Sequence, residues 1–239
     1  MFDPTKHKVL LIQILKDIYS DTTLRTLLGF KDGTAALLFY DLPRLSVDLD
    51  FDLLDPDKKE IVFPLVKNIL ANHGSVRDAT EKRYTLFYLL NYQAGKQSVK
   101  LEISKRKSGG RFELKNYLGI PMLVMKQEDM IAAKLSALLT RKKFAMRDVY
   151  DVWFFSKNNW SINKQLLQEK TGLSLKPALE KAIDIVSSLN KNQLLQGLGE
   201  LLGPKQKDWV KEKLQEETIF YLRLTQEKAV LPTETTAPI

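Results

Sequence analysis

The sequence predicts an α+β protein in two parts, a mixed sheet with helices followed by an all-helical lobe. Residues 1–125 alternate between stretches with helical apolar spacing and stretches in which every second residue is apolar. Residues 126–230 keep the helical spacing apart from loops, and residues 231–239 are polar and contain no apolar period. We therefore expect an α/β domain, a helical domain and a disordered tail with these bounds.

The elements of the first part follow from apolar periodicity and from the Gly and Pro residues that interrupt it. Pro43 ends a short helix, and Pro56 suits the first turn of the next one. The predicted order is an amphipathic helix over 7–27, a buried strand at 27–30, a short helix at 35–40, an alternating strand at 46–52, a helix from 56 to about 72, strands at 83–92 and 97–104, and an extended region at 112–124.

The composition restricts the chemistry that the chain can perform. With no Cys and only two His, the chain has no thiolate metal site and little basis for a zinc site. Any bound metal must be held by carboxylates, which favours magnesium, manganese or calcium. The net charge of +8 is compatible with a polyanionic partner or with solubility alone. No apolar run approaches a membrane span, and we expect a cytoplasmic protein without a membrane partner.

The strongest chemical signal lies in the alternating strand at 46–52. Ser46, Asp48, Asp50 and Asp52 share one face of this strand, while the residues between them are apolar. Neighbours on one face are about 7 Å apart, so each pair of bare carboxylates repels by about 2 kcal/mol at an effective dielectric of about 20. A divalent cation with oxygen ligands would turn this repulsion into binding. The alternative is a solvated strand whose acids have no ligand.

A glycine and a hydroxyl group stand before this strand. Gly33 and Thr34 lead into the short helix, where backbone N–H groups and the positive end of the helix dipole favour a phosphate. Glu102, on the polar face of a later strand, could supply a third carboxylate. Two acids close in sequence and one distant acid, behind such a helix start, resemble the pattern of DNA-polymerase-β-like nucleotidyltransferases, so we predict that core.

The helical part contains a second group of charges. Lys134 and Arg141 are seven residues apart on one helix face, and Asp148 and Asp151 follow on the next helix. The cations could neutralise triphosphate charge, with one of the two acids orienting them or acting as a base. The alternative is a set of exposed salt bridges within the helices, worth about 0.5 kcal/mol each.

Together, these motifs resemble the AbiEii/AbiGii toxin family, which belongs to toxin–antitoxin and phage-defence systems. The resemblance spans roughly residues 25–160. The matching motifs, in the family's order, are Gly33-Thr34, Arg44-x-Ser46-x-Asp48-x-Asp50-Phe51, Glu128-Asp129-x-x-Ala132-x-Lys134 with Arg141, and Arg147-Asp148-x-x-Asp151. The family implies a polymerase-β-like core, nucleoside triphosphate binding with magnesium (or manganese), and an antitoxin encoded beside the toxin. Some members transfer nucleotides to the 3′ end of tRNA, which stops growth.

The resemblance also implies roles for individual residues. It assigns metal binding to Asp48 and Asp50, and the position of Glu102 on its strand makes that residue the expected third metal ligand. These three acids are expected to be catalytic together with Lys134, Asp148 and Asp151. The residues expected to bind the nucleotide are Gly33, Thr34, Arg44, Ser46, Lys134 and Arg141.

Two positions depart from the family pattern. Asp32 stands where the family commonly has a first glycine, and Glu102 replaces the usual Asp of the wider superfamily. Two other uses of the same fold therefore remain open, a toxin that binds nucleotide without transferring it and a kinase-like enzyme that moves the γ-phosphate. A structural or partner-binding module with solvated acids is the third alternative.

Overall fold

The computed structural model describes residues 3–92, 97–107 and 109–230, and it confirms the α+β class. The chain divides into two compact units, one ending at Lys126 and the other beginning at Gln127. The tail predicted at 231–239 lies outside the described residues. None of the helices in the described parts of the chain is long and apolar enough to cross a membrane.

The first unit is built from helices and strands that alternate along the chain. Its helices are α1 (Pro4–Ser20), α2 (Leu24–Leu27), α3 (Asp32–Tyr40) and α4 (Lys59–Ala71), the last preceded by a 3₁₀ turn at Pro56–Lys58. Its strands are β1 (Leu28–Lys31), β2 (Asp48–Leu53), β3 (Ser75–Glu81), β4 (Thr85–Tyr92), β5 (Gln97–Ser104), β6 (Phe112–Tyr117) and β7 (Ile120–Met125).

The seven strands form one mixed sheet with the order β3-β4-β5-β2-β1-β7-β6. β2 runs parallel to β5 and antiparallel to β1, so it occupies the centre of the sheet. Its alternate residues Leu49 and Phe51 are fully buried, and the rings of Phe51 and Phe30 are 5.3 Å apart. The acidic residues of β2 thus stand on a central strand whose other face is fixed in the core.

One strand was not predicted from the sequence. β3 follows α4 and pairs antiparallel with β4 at the edge of the sheet. Most of its side chains are exposed, so it shows no apolar alternation that would reveal a strand. Its backbone hydrogen bonds to β4, rather than burial of its side chains, define it.

The second unit is helical in its described part. Its helices are α5 (Gln127–Thr140), α6 (Met146–Lys157), α7 (Lys164–Thr171), α8 (Leu175–Ser187), α9 (Pro204–Trp209) and α10 (Gln215–Val230). A π-helical turn at Val210–Leu214 joins α9 to α10. α10 packs against α6 and α8, and α5 packs against α6 and α7. Fully buried apolar residues such as Leu135, Val149 and Leu179 form the core of this unit.

Candidate active site

The register of two parallel strands brings three predicted site residues together in the first unit. Asp48 of β2 lies opposite Lys100 of β5, and Asp50 lies opposite Glu102. Because paired residues of neighbouring strands point to the same face, the three carboxylates stand side by side on the sheet. We call Asp48, Asp50 and Glu102 the acid cluster.

A lysine that was not assigned a role from the sequence lies within this cluster. The Lys100 ammonium is 3.1 Å from Asp48 Oδ2 and 3.7 Å from Glu102 Oε2. Burial by itself lowers the pKa of Lys100, but the Asp48 and Glu102 carboxylates outweigh it and raise that pKa. Lys100 is therefore protonated and supplies part of the positive charge that the acidic strand requires. Its position on the polar face of β5, next to Glu102, was the available signal in the sequence.

The third aspartate of β2 is neutralised differently. Asp52 is 2% exposed and forms an ion pair with the ammonium of Lys31, the last residue of β1. This carboxylate therefore already has a cationic partner within the sheet. Lys31 was not singled out from the sequence, because only the pairing of β1 with β2 places it there.

Asp50 is the member of the acid cluster whose ionisation is most unfavourable. Burial, followed by the negative charges of Asp32 and Asp48, raises the pKa of Asp50 to about 7, although Lys100 and Lys31 act in the opposite direction. The cluster thus has more negative charge than the neighbouring lysines compensate. Asp32 contributes to this excess although no site role was predicted for it.

The backbone conformation of Asp32 explains why the family commonly has a glycine at this position. Its φ is +66°, in the left-handed region that glycine adopts without steric cost. Asp is one of the few residues that tolerate this conformation, because its short side chain can bond locally. The departure from the family pattern therefore keeps the backbone turn into α3 and adds a negative charge beside Asp50.

The start of α3 is attached to β2 through Thr34. The Thr34 hydroxyl donates to the backbone oxygen of Asp48 at 2.5 Å and lies 2.8 Å from Ser46 Oγ. Thr34 is only 1% exposed. Its side chain therefore fixes the position of the acidic strand against α3, so a phosphate at this helix start would be met by backbone N–H groups.

Gly33 and Arg44 complete this corner of the first unit. A Cβ at Gly33 would lie 2.7 Å from Arg44 Nη2 and 2.9 Å from Ser46 Oγ, so glycine is the residue that fits between them. Arg44 is 5% exposed, and its Nη1 donates to the Leu45 backbone oxygen at 2.9 Å. The structure thus gathers Gly33, Thr34, Arg44 and Ser46, all predicted to bind nucleotide, at the N-terminus of α3.

The predicted residues of the second unit form a separate ion-pair network. Lys134 Nζ is 2.9 Å from Asp151 Oδ2 and 3.3 Å from Asp148 Oδ1, and Arg141 Nη1 is 2.9 Å from Asp148 Oδ2. Lys134, Asp148 and Asp151 are buried, whereas the Arg141 side chain is 38% exposed. The alternative of exposed salt bridges within single helices is wrong for these residues, because the pairs join α5 and the turn after it to α6.

The acid cluster has the ligand chemistry of a magnesium site but not the converging geometry of one. Within the described residues, no three acidic, His or Cys side chains converge closely enough to hold a metal ion together. Asp48, Asp50 and Glu102 nevertheless offer only carboxylate oxygens, which magnesium prefers. The raised pKa of Asp50 and the ammonium of Lys100 beside Asp48 both indicate a position where additional positive charge is favourable. The oxygen donors are thus of the kind that magnesium prefers, although the three carboxylates of the described structure do not converge on one point.

Comparison with known proteins finds a family whose model matches most of this chain. The model of the family described as nucleotidyl transferase AbiEii toxin, type IV toxin–antitoxin system, matches residues 13–213. The matched range contains the acid cluster, the start of α3 and the ion-pair network of the second unit. Among the curated proteins, none matches this chain.

Solved structures show the same fold at low sequence identity. A putative nucleotidyltransferase from H. pylori is 22% identical, with a TM-score of 0.61 over 94% of this chain and 95% of that protein. JHP933 from Helicobacter pylori is also 22% identical, with a TM-score of 0.60 over 94% of this chain and 92% of that protein. The similarity therefore extends over nearly the full length of each of these proteins.

Proposed function

Because this chain belongs to the AbiEii nucleotidyl transferase toxin family of type IV toxin–antitoxin systems, we propose that it transfers a nucleoside monophosphate from a nucleoside triphosphate to the 3′ end of tRNA. Membership in this family identifies the chain as a nucleotidyltransferase and implies a cognate antitoxin. The acceptor, the metal and the resulting block of translation and growth, with a role in phage defence, belong to the proposal.

One observation supports the proposal most directly. The parallel register of β2 and β5 sets Asp48 and Asp50 beside Glu102, and the Thr34 hydroxyl joins the N-terminus of α3 to Asp48. A helix start, whose backbone N–H groups could bind a phosphate, therefore lies against the strand that bears the acids. This arrangement suits a reaction in which a triphosphate and an attacking hydroxyl are both held beside carboxylates.

The proposed reaction is an in-line displacement at the α-phosphorus. The acceptor hydroxyl forms the new P–O bond, the bond to the β-phosphate breaks, and pyrophosphate leaves. Asp48, Asp50 and Glu102 would hold magnesium, or manganese, which balances phosphate charge and lowers the pKa of the attacking hydroxyl when it is bound. Glu102 either completes this donor set or accepts the hydroxyl proton on a carboxylate oxygen.

The residues around the start of α3 would bind the nucleotide. The backbone of Gly33 and Thr34 would meet the phosphates, and Ser46 holds Thr34 in place. Arg44 adds a buried positive charge at the same corner. Since a Cβ at Gly33 would collide with Arg44 and Ser46, the close approach of backbone and guanidinium depends on glycine.

From the family pattern, we propose that Lys134 and Arg141 of the second unit bind phosphate oxygens. Arg141 is the more exposed of these two cations, so it is the one open to direct contact with a ligand. Lys134 is buried between Asp148 and Asp151, so its charge acts from within the network. Asp148 pairs with both cations and would orient them.

The proposal is tested by incorporation of label into total tRNA from each α-³²P-nucleoside triphosphate in turn, with magnesium. Wild type should label tRNA with at least one triphosphate, and Asp48→Ala should abolish the label while keeping a cooperative thermal transition. Asp184→Ala, on the exposed side of α8, is the matched control and should label as wild type does.

Other outcomes separate the alternatives. Absence of α-label together with transfer of γ-label would replace nucleotidyl transfer by phosphate transfer. A thermal midpoint that rises with magnesium and nucleotide, but without any transfer, would indicate a binding protein. A midpoint that responds to neither would indicate that the acids are solvated and bind no ligand.

A further inference from the structure

Two short basic runs that are distant in sequence meet at one end of the sheet in the first unit. Lys82-Arg83 lies between β3 and β4, and Lys105-Arg106-Lys107 follows β5. The Lys105 backbone N–H donates to the Tyr84 oxygen at 2.9 Å, which fixes one run against the other. The cations are therefore neighbours because of the fold.

Aromatic rings lie between these cations. Tyr84 is 43% exposed, with the guanidinium carbons of Arg106 and Arg83 at 4.4 and 4.9 Å from its ring centroid. The ammonium of Lys82 is 3.6 Å from the ring centroid of Phe87. Such distances are those of cation–π pairs, so each of the two rings has a cation beside it. We call Lys82, Arg83, Tyr84, Phe87 and Arg106 the basic–aromatic surface.

The acid that ends β3 does not cancel the charge of this surface. Glu81 Oε1 is 2.6 Å from the Lys105 ammonium and 2.8 Å from that of Lys59. Two lysines thus share one carboxylate. The exposed cations Lys82, Arg83 and Arg106 leave the surface positive.

One ring of the basic–aromatic surface, that of Phe87, lies on the same face of the sheet as the acid cluster. Phe87 of β4 lies directly opposite Glu102 of β5, and Glu102 lies opposite Asp50 of β2. Directly opposed residues point to one face, so Phe87, Glu102 and Asp50 form a row across three strands. Phe87 and Glu102 are both partly exposed, which leaves this row accessible.

We infer that the basic–aromatic surface binds the unpaired 3′ strand of the RNA acceptor and directs its end to the acid cluster. This inference rests on the proposed function and names the surface that would recognise its acceptor. Exposed rings stack on bases only where the bases are unpaired, whereas Lys and Arg hold the backbone of any sequence. A single strand therefore uses both features of the surface, and a duplex would use only its charge.

The test measures RNA binding without nucleotide or metal, so that transfer is not required. Fluorescence anisotropy follows a labelled 12-nucleotide single-stranded RNA titrated with the full chain in EDTA. Arg83→Gln/Arg106→Gln should weaken binding at least tenfold and reduce the slope of log K against log salt by about 1.4, as expected for two lost phosphate contacts on a single strand. Lys176→Gln/Lys181→Gln removes the same charge from the exposed side of α8 and should change binding less than twofold.

The aromatic part of the surface is tested separately. Tyr84→Ala should weaken single-strand binding by about tenfold, the scale of one lost base–aromatic stack, whereas Tyr84→Phe should bind like wild type. Because Tyr84 is exposed, both variants should keep the wild-type thermal midpoint.

Three results would overturn the inference. The first is an equal loss of RNA affinity in the two double variants. The second is a blunt RNA duplex that binds as tightly as the single strand. The third is a Tyr84→Ala variant that binds the single strand as wild type does. The proposed function is judged independently, by label transfer. Intact binding at this surface without transfer to any RNA would count against the enzyme reaction alone, and transfer with unchanged RNA binding in Arg83→Gln/Arg106→Gln would count against the surface alone.

Discussion

Lys100 lies directly opposite Asp48 across the parallel strands β5 and β2, and its ammonium is 3.1 Å from Asp48 Oδ2. The same ammonium is 3.7 Å from Glu102 Oε2. A cation thus stands between two of the three carboxylates that would bind magnesium. Lys100 limits the repulsion within the acid cluster, and a metal ion bound between the same carboxylates would have to displace its ammonium.

Replacing Lys100 by methionine should therefore raise the affinity for magnesium and lower stability without magnesium. Lys100→Met should bind magnesium at least fivefold more tightly, because no ammonium competes, and its metal-free form should lose about 1–2 kcal/mol through unscreened carboxylate repulsion. Calorimetric titration and urea unfolding in EDTA measure the two effects. Lys100→Arg keeps the charge and is the control. Unchanged magnesium affinity in Lys100→Met would show that Lys100 does not occupy the metal position.

The acidic strand shows which part of the site can be predicted from sequence. The alternation of Asp48, Leu49, Asp50 and Phe51 specifies a strand with one buried face, and the structure has that strand. Its counter-charges could not be located, because Lys31 and Lys100 reach it through strand pairing over long sequence distances. Local pattern determines the face of a residue, whereas its neighbours depend on the order of strands in the sheet.

The charges of the second unit show the same limit. Their spacing within single helices predicted exposed pairs as the alternative, yet Lys134 of α5 pairs with Asp148 and Asp151 of α6. Burial arises only when the two helices pack. Periodicity within one helix does not contain that information, so the buried network could not be distinguished from surface salt bridges.

Asp50 should make the metal-free protein less stable as the pH rises. Its pKa in the folded state, about 7, lies above the ordinary value of 3.8 that the carboxyl group regains on unfolding, so ionisation is costly only in the folded protein. The free energy of unfolding should fall between pH 4 and pH 8, because burial and the charges of Asp32 and Asp48 oppose the ionisation of Asp50 more than the nearby lysines favour it. Asp50→Asn cannot ionise and should be more stable at pH 8 by up to about 4 kcal/mol.

The measurement is urea unfolding in EDTA at several pH values from 4.5 to 8. Asp184→Asn, on the exposed side of α8, is the control and should follow wild type at every pH. The gain from Asp50→Asn should disappear toward pH 4.5. An equal gain at both ends of the range would mean that the ionisation of Asp50 is not its cause.

Lys134 should be essential for the stability of the second unit as well as for any catalytic role. Lys134→Met leaves the buried carboxylates of Asp148 and Asp151 without their shared ammonium, and we expect a loss of about 3–5 kcal/mol in the free energy of unfolding. Adding Asp151→Asn to Lys134→Met should restore part of the lost free energy of unfolding. Arg141→Gln, at a half-exposed position, should cost less than about 1 kcal/mol.

Urea unfolding of these variants at pH 7 gives the comparison. The result also decides how kinetic data should be interpreted. Lost activity in a destabilised Lys134→Met variant would reflect unfolding. Lost activity in a stable Arg141→Gln variant would reflect loss of the proposed phosphate contact. A Lys134→Met variant as stable as wild type would contradict the buried network.

Asp32→Gly should make the protein both more stable and better at binding nucleotide. Asp32 holds a φ of +66°, which costs a residue with a side chain about 1 kcal/mol relative to glycine, and its charge is one of the causes that raise the pKa of Asp50. Removing both effects should raise the free energy of unfolding at pH 8 and strengthen binding of magnesium–triphosphate at least threefold.

Asp32→Asn separates the two causes, because it removes the charge and keeps a side chain in the left-handed conformation. It should reproduce the gain in nucleotide affinity with a smaller gain in stability, measured by calorimetric titration and urea unfolding. Weaker nucleotide binding in both variants would instead show that the Asp32 carboxylate assists the site.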